Sequence, residues 1–174
     1  MKRFFALLIG LFVFALSHTA LANYPTYLNG DHNLVLCDGH MGVAWYVDRT
    51  SLVVKKYEPP QYIIAVNVIT AKSAIGDEND FYSGGRGEIT QVRTMRFFYN
   101  WDLRQMYAGK VGADDWRFIP PTGSWAERGI SMPAGEIAFY LAYRMRFYGS
   151  KRFYDAVLKR DVDVFSDDFY APLL

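Results

Sequence analysis

The chain has 174 residues and a formal net charge of +1 at pH 7, with 19 basic and 18 acidic side chains. This balance argues against nucleic-acid binding and against attachment to an anionic membrane by charge, because both need an excess of Lys and Arg. Aromatic residues make up 17% of the sequence, so one domain of this length can bury a substantial core and still present Tyr and Trp at its surface.

The first 22 residues have the three-part layout of a secretory signal peptide. Lys2 and Arg3 precede an apolar stretch at residues 4–16, and Ala20 and Ala22 supply the small side chains that a signal peptidase reads. The apolar stretch is too short for a permanent anchor, and the sequence after it holds no transmembrane segment. We therefore expect residues 1–22 to be removed from a single exported α+β domain, residues 23–174, in the bacterial periplasm or at the cell surface.

Cys37 is the one cysteine of the chain, so the fold has to form without an internal disulfide. Three alternatives follow for an exported lone thiol: burial, a bridge between two chains, or a reactive group. We expect burial, because free Cys behaves as a small hydrophobic residue.

The pattern between residues 34 and 119 predicts β-strands joined by turns. Residues 62–70 form the strongest of these strands, since β-branched residues are frequent there and one face is wholly apolar. That apolar face consists of Tyr62, Ile64, Val66 and Val68. The other predicted strands are residues 34–37, 43–48, 52–57, 89–99, 103–108 and 115–119.

Two further segments complete the prediction. Residues 71–88 lack periodicity, which predicts a long mobile loop. After Ser131 the apolar residues recur at helical spacing, so we predict a helix that Ser131 caps and Gly149 ends, followed by a short helix at residues 153–159. The predicted fold class is α+β: an antiparallel β-meander sheet with a C-terminal helix packed on one face.

Residues of metal-ligand type gather in one place, namely Asp31, His32, Cys37, Asp38 and His40. Their spacing matches no common zinc pattern, and the Asp-Gly-His sequence reads as an ordinary turn. A catalytic Cys37–His40 pair would also need a third, orienting group. The sequence therefore predicts no metal site, no cofactor and no catalytic residue.

A recognition surface is the more informative prediction. If residues 89–99 and 103–108 form a hairpin, arginines and aromatic side chains line one outer face, as they do in protein-binding hot spots and on sugar-stacking surfaces. The candidate residues are Arg86, Arg93, Arg96, Trp101, Arg104 and Tyr107, with Trp116 beside them. The alternative is that Trp101 and Trp116 are core residues.

Three segments resemble the bacterial surface-adhesin E-like family of small exported proteins. They are residues 44–52 (Ala-Trp-Tyr-Val-Asp-Arg-Thr-Ser-Leu), residues 93–99 (Arg-Thr-Met-Arg-Phe-Phe-Tyr) and residues 115–121 (Asp-Trp-Arg-Phe-Ile-Pro-Pro). The resemblance extends over residues 43–149 and implies an antiparallel sheet with a packed helix, self-association, and attachment to host matrix or serum proteins. The chain departs from the family in that Cys37 lacks the second cysteine with which family members often tie helix to sheet.

These observations favour an exported, non-enzymatic binding or envelope-associated protein, a surface adhesin-like module. Its expected partners are a protein or glycan at the cell envelope or host matrix, or a second copy of the chain as a homo-oligomer. Two alternatives stay open: a periplasmic enzyme acting on a small or cell-wall-derived substrate, with a polar pocket around His32 or His40, and a purely structural role.

Overall fold

The structure is a computed structural model that describes residues 24–109 and 115–174. The predicted signal peptide, residues 1–22, lies outside the described residues. Within the described residues, no helix is long and apolar enough to cross a bilayer.

The described residues form a six-stranded antiparallel sheet in which each strand lies beside the next along the chain. The strands are β1 (Leu34–His40), β2 (Val43–Glu58), β3 (Gln61–Ser73), β4 (Gly87–Asn100), β5 (Gln105–Gly109) and β6 (Trp116–Ile119). Five of the seven predicted strand segments lie within these bounds, and the predictions for β5 and β6 begin two residues and one residue too early. Residues 43–48 and 52–57 belong to one long strand. The register of β2 against β3 shifts between Asp48 and Val53, and Asp48 accepts hydrogen bonds from the amide and hydroxyl of Thr50 there. The polar stretch that suggested a turn is thus a bulge within β2.

Helices are spread along the chain and are not limited to one C-terminal helix. The sheet and the helices together confirm the predicted α+β class. In the described part of the chain they are α1 (Glu78–Tyr82), α2 (Trp125–Arg128), α3 (Ser131–Tyr143) and α4 (Asp167–Tyr170). Short 3-10 turns lie at Leu28–Gly30, Tyr148–Ser150 and Ala171–Leu173, and a separate hairpin pairs β7 (Arg152–Asp155) with β8 (Arg160–Asp163). The predicted helix at residues 153–159 is therefore wrong, because this segment forms the hairpin.

The predicted bounds of α3 need correction at both ends. Ser131 is the first helical residue and no cap: its hydroxyl accepts a hydrogen bond from the Arg117 guanidinium. The helix stops at Tyr143, because Arg144 adopts a left-handed conformation with φ of 55° and donates to the carbonyl of Leu173. Gly149 lies beyond this point, in the 3-10 turn that follows.

The larger core lies between the sheet and α3. Tyr62, Ile64, Val66 and Val68 are all buried there, which confirms the apolar face predicted for β3. The helix packs across β1, β2, β3 and β5. Gly135 makes this close packing possible, since a Cβ at this position would lie 2.4 Å from the Met106 sulfur.

The opposite face of the sheet, called the outer face below, is covered at one end. Tyr46 and Ile69 are buried there beneath Tyr24, Leu28 and Phe81. Phe81 belongs to α1, so residues 71–88 are not the structureless loop that was predicted. The Asp77 side chain accepts the Asn79 amide and begins this helix.

Cys37 is buried, as expected, with 8% of its surface exposed. It lies in the helix-side core. Burial raises the pKa of the Cys37 thiol, so the reactive thiolate is disfavoured at neutral pH.

Candidate binding face

The pleat of β4 divides the candidate residues between the two faces of the sheet. Met95, Phe97 and Tyr99 are buried in the helix-side core, so the intervening Arg96 and Phe98 point to the outer face. The strand register continues this outer row across the sheet. Phe98 pairs with Tyr107 and Tyr107 with Phe118, while Gly109 lies between Arg96 and Trp116.

These side chains form one continuous surface, which we call the outer aromatic patch. It consists of Arg96, Phe98, Tyr107, Trp116 and Phe118. The ring centroids of Phe98 and Tyr107 are 5.6 Å apart, those of Tyr107 and Phe118 5.5 Å, and those of Phe98 and Trp116 5.9 Å. The Arg96 guanidinium carbon lies 5.0 Å from the Trp116 ring centroid, which is a cation–π distance.

Solvent reaches this patch. Phe118 is 43% exposed, and the other four residues are half-buried. None of the five belongs to either buried cluster described above. Gly109 shapes the surface, because a Cβ there would lie 2.8 Å from the Trp116 ring. Glycine at this position therefore lets the indole approach β5 closely.

Of the six predicted binding residues, the structure brings Arg96 and Tyr107 together in the patch. Trp101 and Arg104 lie on the helix side of the sheet instead. The Arg104 guanidinium carbon is 3.4 Å from the Trp101 ring centroid, and Trp101 stacks on Phe139 of α3 at 5.6 Å. Trp101 thus follows the core alternative, whereas Trp116 faces outward.

The other two arginines are placed differently again. Arg93 shares the parity of Met95 and lines a cleft on the helix side, at the end of β4 away from the turn. Arg86 lies at the far end of the sheet, beside Tyr27 and Asn29 of the N-terminal segment. A single face containing all six residues does not exist in this fold.

The residues of metal-ligand type do not converge. His32 stacks on Tyr27 at 4.1 Å, whereas His40 lies 5.6 Å from the ring of Trp125, and Cys37 is buried. The Trp125 indole donates to the carboxylate of Asp38 at 2.9 Å. Among the residues that the structure describes, no group of three His, Cys, Asp or Glu side chains is placed to hold a metal ion.

Glu136 is the most deeply buried carboxylate of the described chain, with 0% of its surface exposed. Its oxygens accept the backbone amides of Phe147 and Tyr148, both at 2.8 Å, and the hydroxyl of Tyr170 at 2.7 Å. The amide of Gly149 donates to it at 3.3 Å. Burial raises the pKa of Glu136, although these donors favour the carboxylate. The side chain therefore ties the turn after α3 to the helix, out of reach of any substrate.

No family model matches this chain, and no curated protein or solved structure matches it either. The function has to be argued from the geometry of the described residues.

Sequence reasoning missed Phe98 and Phe118 as members of the patch. The missing information was the register, because only cross-strand pairing places Phe98, Tyr107 and Phe118 in one row. Their alternation with Phe97 and Ile119, which are buried, was visible in the sequence.

Proposed function

We propose that this protein is an exported, non-enzymatic binding protein that recognises its partner through the outer aromatic patch. The observation that supports this proposal is a row of aromatic side chains on the outer face of the sheet, ending at the 43% exposed Phe118. Aromatic residues next to Arg are enriched in the energetically dominant positions of protein interfaces. Aromatic rings also offer an apolar body with a polar edge, which suits proteins and glycans alike.

Adhesin-like attachment and export belong to the same proposal. Export rests on the signal-peptide layout of residues 1–22, and adhesion rests on the resemblance over residues 43–149. The arrangement that the resemblance implies, an antiparallel meander with a helix on one face, agrees with β1–β6 and α3. In this proposal, the outer aromatic patch is the surface that contacts a matrix protein, a serum protein or an envelope glycan.

In the described part of the chain, the residues considered for a periplasmic enzyme do not converge on one site. His32 stacks on Tyr27, His40 contacts the Trp125 ring in a tilted arrangement, and Glu136 is fully buried. Catalysis needs convergent polar groups in a concave site, and these residues do not provide one together.

The test is binding of the processed protein to immobilised matrix proteins, serum proteins and glycans, with light scattering to measure its oligomeric mass. Phe118→Ser removes the most exposed ring of the patch. Tyr154→Ser is the matched control, because Tyr154 is a 61% exposed aromatic residue on β7, outside the patch.

We expect saturable binding to one partner class and a loss of about 2 kcal/mol, roughly 30-fold in Kd, for Phe118→Ser. Tyr154→Ser should bind like the unchanged protein. Equal affinities for the two variants would remove the patch from the proposal, and a folded protein without any partner in the panel would contradict adhesion.

A further inference from the structure

The hairpin of β7 and β8 ends in exposed apolar side chains. In the described part of the chain these two strands pair only with each other, and residues 156–159 form the turn between them. Val157 is 84% exposed and Leu158 is 56% exposed. Single exposed aliphatic side chains are common on protein surfaces, but these two are adjacent and lie where the chain turns. We call Val157 and Leu158 the hairpin tip.

The base of the hairpin is attached to the core of the domain. The ring of Phe153 lies 5.5 Å from the ring of Tyr148, which is fully buried. The Thr122 hydroxyl donates to the backbone carbonyl of Tyr154 at 3.3 Å. The base is therefore held by packing and by a hydrogen bond, while the tip remains in water.

The turn itself is held by a side chain. The carboxylate of Asp155 accepts the backbone amides of Val157 and Leu158 at 2.8 and 2.9 Å. Lys159 completes the turn in a left-handed conformation with φ of 53°. Two backbone donors of the tip are thus already paired, which lowers the cost of moving the tip out of water.

Basic side chains follow the tip directly. Lys159 and Arg160 are both exposed. The acidic residues of the hairpin are Asp155, Asp161 and Asp163. Asp155 binds the amides of the turn, and Asp163 forms an ion pair of 3.7 Å with Arg152, nearer the base. Residues 155–160 therefore carry two cationic groups and one carboxylate that is already hydrogen-bonded.

We propose that the hairpin tip docks on the surface of a phospholipid bilayer that contains anionic lipids. Val157 and Leu158 insert at the boundary between headgroups and acyl chains, and Lys159 and Arg160 lie at the level of the anionic headgroups. Burial of two aliphatic side chains gives weak, reversible attachment, to which each nearby basic residue adds. The net charge of +1 argues against attachment by charge alone, so the proposal depends on the insertion of the aliphatic side chains.

A bilayer fits this tip better than a protein partner does. Stable protein interfaces bury about 800 Å² on each partner, and Trp, Tyr and Arg dominate them, whereas Val and Leu are under-represented. Two aliphatic side chains offer too little area for such an interface, but shallow insertion among lipids needs no complementary pocket. The tip is not part of the outer aromatic patch, and this proposal does not depend on the function proposed above.

The first experiment is co-sedimentation of the full processed protein with lipid vesicles. One set consists of phosphatidylcholine alone, and the other contains phosphatidylcholine and phosphatidylglycerol in equal amounts. The test variant is Val157→Ser with Leu158→Ser. The matched control is Met41→Ser with Ile75→Ser, because these two side chains are 75% and 73% exposed and lie outside the hairpin.

We expect the unchanged protein to bind the phosphatidylglycerol vesicles, and to bind phosphatidylcholine alone more weakly. The tip variant should lose at least about tenfold in affinity for the vesicles, since it removes the inserted aliphatic groups. The matched control should bind like the unchanged protein. Lys159→Gln should weaken binding to the phosphatidylglycerol vesicles about fivefold. Lys55→Gln, the same charge change at an exposed position of β2, should not.

A second readout locates the inserted residue. An environment-sensitive fluorophore is attached at Val157→Cys or, in a separate protein, at Ile75→Cys. The native Cys37 is buried, so the label reacts at the introduced cysteine. On phosphatidylglycerol vesicles, the label at position 157 should shift to the blue and be quenched by lipids with brominated acyl chains. The label at position 75 should show neither change.

Four results would overturn the proposal. They are equal vesicle binding by the tip variant and the matched control, equal responses of the two labels, equal binding to both kinds of vesicle, and no binding to either kind. A fifth comes from light scattering. If the tip variant keeps its vesicle binding but dissociates a dimer, the tip is a contact between two copies of the chain.

Discussion

The two faces of the sheet are both rich in aromatic residues, yet they have opposite surroundings. On the helix side, Tyr62, Tyr99 and Trp101 surround Phe139 of α3, which is fully buried. On the outer face, Phe98, Tyr107 and Phe118 lie at comparable ring separations but remain partly exposed. Similar ring contacts therefore differ in their contribution to stability, because Tyr62, Tyr99 and Phe139 are removed from water and gain the full free energy of burial.

The largest expected difference between the faces is in stability. Phe139→Ala should lower the free energy of unfolding by about 3–5 kcal/mol, since it leaves a cavity among several rings. Phe118→Ala should lower it by less than about 1 kcal/mol, because that ring is 43% exposed. Urea unfolding of both variants measures the two values. Equal losses would show that the outer aromatic patch is a second core and not a surface.

A smaller loss of stability is expected where α3 packs closely on the sheet, at Gly135. In an exposed helix, Gly→Ala stabilises by about 1 kcal/mol through helix propensity. At Gly135 the added Cβ would meet the Met106 sulfur at 2.4 Å and the Phe97 ring at 3.0 Å. We expect Gly135→Ala to destabilise the fold by about 1–3 kcal/mol, the range for overpacked cores.

Thermal unfolding checks this prediction. Met106→Ala in the same chain provides the matched test, since it removes the group that the new methyl would contact. Because Met106→Ala destabilises the core by itself, the test is the coupling: Gly135→Ala should cost less in the Met106→Ala background than in the unchanged chain. A stabilised Gly135→Ala single variant would mean that the helix lies further from β5 than the structure places it.

The smallest expected effect is a pH dependence of stability that comes from Glu136, the buried carboxylate of α3. Burial raises the pKa of Glu136. The folded protein then holds this proton more tightly than the unfolded chain does. The stability that the group contributes is present in full below the ordinary glutamate pKa and is lost as pH rises through the raised value.

Unfolding free energies measured between about pH 4 and pH 7 should therefore decline more for the unchanged protein than for Glu136→Gln, which cannot ionise there. Glu88→Gln, at an exposed position of β4, serves as the control. Identical pH profiles for the unchanged protein and Glu136→Gln would contradict the raised pKa.

The parts of the fold that could be predicted are those in which the pattern of neighbouring residues along the chain indicates the secondary structure. The alternation of Tyr62, Ile64, Val66 and Val68 is enough to specify a strand with one buried face, and the structure has it. In the same way, alternation around Met95 and Phe97 predicts β4, and the aromatic content of β5 and β6 suggests an outward-facing surface.

The parts that could not be predicted depend on contacts between distant residues. Arg144 ends α3 in a conformation uncommon for a residue with a Cβ, and its hydrogen bond to Leu173 is a tertiary contact. Glu136 lies in α3, but its hydrogen-bond partners Phe147 and Tyr170 come from later segments of the chain. The six candidate residues do not share one face for a different reason. Arg93 and Arg96 are three residues apart on one strand, so the pleat alone places them on opposite sides, and the sequence already contained that information.

Tyr24 gives the position of the predicted signal cleavage a structural meaning. Its ring is 6% exposed and meets the rings of Phe81 and Tyr82 edge-on, at 5.4 and 4.9 Å. Gly39 leaves room for that ring, because a Cβ there would overlap it. Predicted cleavage after Ala22 leaves one residue ahead of Tyr24, so trimming by two further residues would strip the aromatic lid from Tyr46 and Ile69. If the signal peptide is removed as predicted, the exact position of the cut decides whether the apolar surface of Tyr46 and Ile69 stays covered.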